Sequence, residues 1–429
     1  MNVSDSERVA TSLAGKGFEI THSEENADII LINTCSVREK AEQKLYSRVG
    51  RIKKKYDEKP VIGVMGCVAQ LEGETLFEKI NGIDFVVGTR AVGRVSEAIE
   101  KVLNGENGFT DLGEREADYD WNVADAQRNS PYVAFIPIIE GCNKFCTYCI
   151  VPFSRGRERS LEASEIIRQV LELKRRGVKE VHLIGQNVNS YRPETDSGLE
   201  MFAGATPFSK LLRAVAATRI EIIKFNTSFP RDFHHDIVDA IDEHENLANW
   251  VHLPVQSGSN KVLKAMRRLH TIDSYFKRID KLKESNRNIS LTTDIIVGFP
   301  GETDEDFRDT VKMVEYCNFD SAYIFKYSPR PGTPAFEMED DVSQKVKSER
   351  FTELESIQKS LQSTNLKRYI NSHVQVLAER ISSRSANDLT GHSSCHKIVN
   401  FAASDDMLGK LVNVKINEIK SNSLFGELN

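Results

Sequence analysis

Three cysteines stand within the stretch "EGCNKFCTYCIVPFSRGR" (Glu140–Arg157): Cys142, Cys146 and Cys149, spaced C-x3-C-x2-C. Thiolates are soft ligands that suit iron–sulfur chemistry. Three of them can hold three irons of a [4Fe–4S] cluster and leave the fourth iron open to an outside ligand. Structural zinc wants four protein ligands, and no fourth cysteine lies nearby. A zinc knuckle completed from elsewhere, or three ordinary core cysteines, are the alternatives. Gly141 permits a sharp turn into the motif. Cys35 and Cys67 each close an apolar run, "ADIILINTC" and "PVIGVMGC". Open α/β sheets place their ligands at such strand ends. Cys317 and Cys395 have no partner spacing and read as small buried hydrophobes. His392 and His396 flank Cys395 and read as surface histidines on a turn.

The elements that must carry these thiols fall into three regions. From Met1 to about Val102, apolar runs at Ala27–Cys35, Pro60–Cys67 and Asp84–Thr89 read as buried parallel strands, with helices at Arg38–Lys55 and Glu74–Ile80 between them. This is an open α/β layer. The polar, turn-rich stretch that follows reads as a linker. From Tyr132, "YVAFIPII", "KEVHLIG", "RIEIIKFNT", "WVHLPVQ", "ISLTTDIIVG" and "SAYIFKYS" give six strands, alternating with helical patterns. Ile166, Ile167, Val170 and Leu171 share one such helical face, stopped by Gly177. Six βα units suggest an incomplete parallel barrel, and the cysteine loop would lie on its C-terminal face. Val342–Tyr369 reads as a long charged helix, and the last strands as a small antiparallel barrel. The expected divisions are 1–104, a linker 105–130, 131–365 and 366–429.

The chain has 429 residues, 40% hydrophobic and 28% charged, enough for two or three globular domains. The first residues lack the apolar core of a signal peptide, and no run is long and apolar enough to span a bilayer. Seven dispersed cysteines fit metal or redox chemistry in a reducing cytoplasm better than disulfides. A net charge of −6 argues against indiscriminate coating of nucleic acid. From Leu366 onward, eight Lys/Arg face six Asp/Glu, a net +2; the remaining 49 basic and 57 acidic residues give −8. The C-terminal barrel is therefore the more basic part.

C-x3-C-x2-C after a first barrel strand resembles the signature of radical S-adenosylmethionine (SAM) enzymes. The likeness is closer still. "NTCSVREKAE" (33–42), "GVMGCVAQ" (63–70), "PYVAFIPIIEGCNKFCTYCIVPFSRGRERS" (131–160), "IGQNVNSY" (184–191), "HLPVQSGSNKVLKAMRRLHT" (252–271), "DIIVGFPGETDEDF" (294–307) and "PRPGTPA" (329–335) resemble MiaB-type tRNA adenosine methylthiotransferases, over essentially the whole chain. The resemblance implies an α/β multidomain protein: an N-terminal α/β methylthiotransferase domain, a partial (βα)6 radical SAM barrel and a C-terminal TRAM barrel that binds RNA. It implies transfer of a methylthio group to C2 of N6-isopentenyladenosine at position 37 of tRNA. Two [4Fe–4S] clusters and SAM would serve it. Partners would be the tRNA anticodon stem-loop, an electron donor such as flavodoxin or ferredoxin, and sulfur-delivery and cluster-assembly proteins, with the chain a cytoplasmic monomer. Two alternatives remain. One is a sibling enzyme acting on threonylcarbamoyladenosine or a ribosomal protein; the other is an RNA-binding, SAM-cleaving remnant.

By the same resemblance Cys142, Cys146 and Cys149 hold the SAM-binding cluster. Gln186 and Asn187, Gln256 and Ser257, and Asp294 follow barrel strands where such enzymes contact SAM. Cys35 and Cys67 are two of the three ligands of a second cluster. The third belongs to a G-C-x-M-N turn, two residues ahead of the position of Met1. An internal start is the expected explanation, ahead of an impaired shorter chain or a substitute ligand such as Asn2 or Ser4. Arg155, Arg157 and Arg159 form a basic run beside the loop, suited to phosphate or carboxylate. Arg380, Arg384, Lys397 and Phe401 are candidates for contact with an RNA loop.

Overall fold

Apolar runs become parallel strands where helices can cover both faces of the sheet. A computed structural model describes residues 1–21, 23–36, 39–56, 60–113, 123–124, 127–383 and 385–429. It divides into two units, Met1–Asn129 with Glu140–Phe145 and Cys149–Glu158, and Ser130–Ile139 with Cys146–Tyr148 and Arg159–Asn429.

In the first unit, β1 (Ile29–Thr34), β2 (Val61–Gly66), β3 (Phe85–Gly88) and β4 (Phe109–Asp111) form one parallel sheet in that order. Successive side chains alternate between faces. Ile30, Ile32, Val64 and Val86 pack with Leu45, Val49 and Ile52 of α2 (Glu39–Lys55) on one side. Met65, Phe85 and Val87 pack with Val9 and Leu13 of α1 (Asn2–Gly15) and with Ala98 and Ile99 of α5 (Val95–Leu103) on the other. The short α3 (Cys67–Glu72) and α4 (Thr75–Lys79) follow β2. Expected strands and observed strands agree within two residues at each end. Arg38, at the start of the expected helix, lies outside the described residues. One expectation is corrected: Phe109–Asp111, read as linker, pairs with β3 through Phe85↔Phe109. Asp111 is fixed by Arg94, with bonds of 2.7 and 2.8 Å. Three half-buried residues are too few to show a period.

The second unit carries six parallel strands in two sheets: β5 (Val133–Pro137), β8 (Glu180–Ile184) and β9 (Ile222–Phe225), then β10 (Trp250–His252), β11 (Ser290–Val297) and β12 (Ser321–Lys326). A single bridge, Ile223↔Leu247, joins the two sets. The short strands β6 (Ile139–Glu140) and β7 (Arg159–Ser160) stand apart from these sheets. The result is a partial barrel. Its core is wrapped by α7 (Ala163–Arg175), α8 (Pro207–Ala217), α9 (His235–Glu243), α11 (Ile272–Lys283) and α12 (Asp304–Cys317). The long α13 (Gln344–Leu366) leads to a closed barrel, β13 (His373–Ser382), β14 (Ser385–Ser393), β15 (Ile398–Ala402), β17 (Ser423–Leu428) and β16 (Leu411–Lys420), in that spatial order. That barrel is not wholly antiparallel: β15 and β17 run parallel. Strand alternation reports which residues face inward, never the direction of the neighbour. No helix among the described residues is long and apolar enough to cross a membrane.

Candidate functional site

The cysteine loop begins later than expected. Strand β5 ends at Pro137, and Cys142 follows the two-residue β6. Gly141 has φ +79°, and a Cβ there would lie 2.1 Å from the Arg157 carbonyl oxygen. Only glycine fits both the left-handed backbone and the close approach. The Cys142 amide donates to the Gly156 carbonyl at 3.1 Å, and the Glu158 amide donates to Asn143 Oδ1 at 3.2 Å. These bonds tie the two arms of the loop together. The short helix α6 (Val151–Arg155) carries proline in its first turn, a position that loses no helical bond. Cys142 and Cys149 are half-buried thiols.

Within the second unit, Cys146 is a buried thiol. Thr147 donates from its amide to Met266 O at 3.1 Å and from its hydroxyl to Ala265 O at 2.9 Å. Both acceptors lie at the end of α10 (Asn260–Ala265). Arg268 donates to Cys146 Sγ at 3.7 Å. Among the described residues, no group of three or more His, Cys, Asp or Glu is placed to hold a metal ion. The chemistry of the donor set nevertheless fits an iron–sulfur group: three thiols on one short segment, none in a disulfide, with a charged donor at one sulfur.

The second pair is built by strand register. Thr34 lies opposite Gly66 in the β1–β2 ladder, so Cys35 and Cys67 leave adjacent strand ends side by side. Thr34 Oγ1 donates to Met65 O at 2.7 Å and accepts from the Val68 amide at 3.2 Å, fixing both exits. Gly66 has φ +96°, and a Cβ would meet Asn33 Oδ1 at 2.4 Å. Ser4 is buried, and its hydroxyl has no hydrogen-bond partner among the described residues. Asn2 spends its amide on the Thr34 carbonyl at 2.9 Å and accepts from Arg155 at 3.2 Å. It therefore positions neighbours.

Several expected contacts are corrected by burial. Arg155 is not an open phosphate contact: its guanidinium is buried against Asp5 at 2.6 Å and Glu140 at 3.1 Å. Burial pushes the Glu140 carboxyl above its usual range, against the pull of Arg155. Burial would lower the Arg155 guanidinium, but the neighbouring carboxylates raise it further. Lys397 pairs with Asp320 at 3.1 Å, and Phe401 lies in the C-terminal barrel core, so neither is open to RNA. Arg384 lies outside the described residues. Arg157, Arg159 and Arg380 are exposed. His396 is no surface histidine; it stacks on Trp250 with ring centres 4.1 Å apart and on His392 at 5.1 Å. Cys317 and Cys395 are buried, as expected.

On the barrel, Asn187 is committed to its own loop and to the segment after β9, donating to Ser190 Oγ at 2.6 Å and Asp232 Oδ2 at 3.1 Å and accepting from the Phe229 amide at 3.2 Å. Ser257 is buried and accepts from the Ser259 amide at 3.2 Å. Neither is an open ligand for SAM. Gln256 is held at φ +79° by a bridge to Ile295, and Gln186 is half-buried. Asp294 remains partly open and lies 3.4 Å from His252 Nε2. Sequence reasoning missed Arg268, Asp5 and Glu140. The string "AMRRLH" offered a cationic pair, but spacing gave no reason to choose either arginine.

Three family descriptions match in succession: "Uncharacterized protein family UPF0004" over residues 1–88, "Radical SAM superfamily" over 136–314 and "TRAM domain" over 367–428. A solved radical S-adenosylmethionine methyltransferase, TsrM of Kitasatospora setae, shares the fold at a TM-score of 0.56 and 15% identity, over 77% of this chain and 70% of that one. Among curated proteins, a tRNA-2-methylthio-N(6)-dimethylallyladenosine synthase of Alkaliphilus oremlandii is 42% identical, over 100% of this chain and 90% of the relative. One of Actinobacillus pleuropneumoniae is 40% identical with the same coverage. The chain belongs to the family of tRNA-2-methylthio-N(6)-dimethylallyladenosine synthases.

Proposed function

We propose that this chain is a radical SAM methylthiotransferase that adds a methylthio group to C2 of N6-isopentenyladenosine at position 37 of tRNA. The C2–H bond is neither acidic nor electrophilic, so general acid–base catalysis does not reach it. Bound by Cys142, Cys146 and Cys149, a [4Fe–4S] cluster with SAM would supply the one-electron chemistry that breaks such a bond. The observation that carries the reading is the set of three thiols on the Gly141-turned loop.

The chain's own residues then do four things. Gly141 and the Cys142–Gly156 bond shape the loop. Thr34 sets the exits of Cys35 and Cys67, which would serve a second iron–sulfur group. Gln186, just past β8, and Asp294, which lies inside β11 rather than after it, supply polar groups. Arg157, Arg159 and Arg380 offer exposed charge to an RNA backbone, and the C-terminal barrel supplies the RNA-binding module. An electron donor and a sulfur source complete the set, in the cytoplasm where tRNA resides.

Nucleoside analysis of tRNA from a strain deleted for the gene tests this. The methylthio group on isopentenyladenosine should disappear, return with the wild-type gene, and stay absent with Cys146→Ala. Loss from threonylcarbamoyladenosine instead would point to the sibling activity. Full restoration by Cys146→Ala would end the proposal.

A further inference from the structure

Arg268 is buried, yet its position falls among residues no spacing rule singles out. Its guanidinium is held from three sides. Nη2 donates to the Pro254 carbonyl at 2.5 Å, the ring of Phe229 lies 4.2 Å from the guanidinium carbon, and Nη1 reaches Tyr148 Oη at 3.5 Å. The same Nη1 stands 3.7 Å from Cys146 Sγ. Its backbone is fixed as well: Arg267 takes φ +54°, and the Arg268 amide donates to Leu263 O at 2.9 Å. The residues around Cys146 are anchored to this helix end by Thr147, whose carbonyl also accepts from the Ala335 amide at 2.8 Å. A planar cation held this firmly cannot swing away from the sulfur.

A charged donor at a ligand sulfur draws electron density from an iron–sulfur group and favours its reduced, more negative state. We propose that Arg268 is a positioning residue that raises the reduction potential of the iron–sulfur group held by Cys142, Cys146 and Cys149, acting through its hydrogen bond to the Cys146 sulfur. This rests on the function proposed above. The step concerned is a single electron taken from a reductant, with no bond made or broken in the protein.

The test is potentiometric titration, followed by electron paramagnetic resonance, of anaerobically reconstituted full-length protein. Wild type is compared with Arg268→Gln and Arg268→Lys. Glutamine removes the charge; lysine keeps it but cannot bond Pro254 and Cys146 together. The midpoint should fall in the order wild type, lysine, glutamine. For glutamine the equilibrium for one-electron reduction should weaken about tenfold, which is about 59 mV. A wild-type midpoint in an iron-loaded variant overturns the proposal. So does loss of iron from both variants, which would make Arg268 a scaffold of the loop alone. Wild-type protein that takes up no iron would instead sink the proposed function itself.

Discussion

Arg155 shows how little a run of like charges says about any one member. Arg157 and Arg159 reach solvent, as charge runs usually do. Arg155 turns inward, where its side chain is 2% exposed beside Asp5, also at 2%. A buried guanidinium is tolerable only while its carboxylates stay with it. Asp5→Ala removes the closer of its two carboxylates and leaves Glu140 alone to balance the buried charge. The expected cost is about 3–5 kcal/mol, read as a lower urea midpoint for the first unit. Arg157→Ala, on the surface, should stay within about 0.5 kcal/mol of wild type. Equal midpoints for the two variants would show that the buried pair contributes nothing.

At the scale of elements, both cysteine sets depend on backbone that only glycine provides. A methyl group at Gly141 meets the Arg157 carbonyl, and the left-handed conformation adds strain of about 1–3 kcal/mol. Gly141→Ala should therefore distort the loop while leaving strands and helices intact. Anaerobic reconstitution should give protein with an unchanged far-ultraviolet circular dichroism spectrum and iron reduced to the level of a Cys142→Ala control. Full iron loading of Gly141→Ala would show that the turn is dispensable. The register of β1 and β2 does comparable work for Cys35 and Cys67. A one-residue slip would turn every side chain of β1 to the other face, so the packed core fixes the pair as firmly as the thiols' own positions.

For the molecule as a whole, the second unit holds histidines that folding keeps neutral. Burial lowers His182 below its ordinary value, His270 to about 4 and His396 to about 2. His182 Nδ1, His270 Nε2 and His396 Nδ1 are buried without a hydrogen-bond partner among the described residues. The unfolded chain binds protons at these rings below about pH 6.5, while the folded chain does not. Stability therefore falls as pH drops below that value. Each histidine contributes a slope of up to about 1.4 kcal/mol per pH unit. The urea midpoint of the second unit should stay nearly level from pH 7.5 to about 7 and then decline with growing slope to pH 5.5, and His270→Gln should flatten the decline. A midpoint independent of pH over this range would show that the rings are protonated in the fold.

Much of this was present in the chain alone. The apolar runs determined the parallel strands of both units, because burial on two faces leaves no polar positions to vary. The C-x3-C-x2-C spacing determined the candidate chemistry, because ligands so close together are brought near by the chain itself. What the sequence could not decide was the environment of each polar side chain. Arg155, Lys397 and His396 read as surface groups, and each is taken up by a residue far away in the chain: Asp5, Asp320 and Trp250. The third strand neighbour at Phe109–Asp111 and the parallel β15–β17 pair were hidden for the same reason. Arg268 came to the Cys146 sulfur only when α10 and the cysteine segment packed together. Local pattern encodes periodicity and burial, whereas pairing between distant residues is settled when the tertiary fold brings them together.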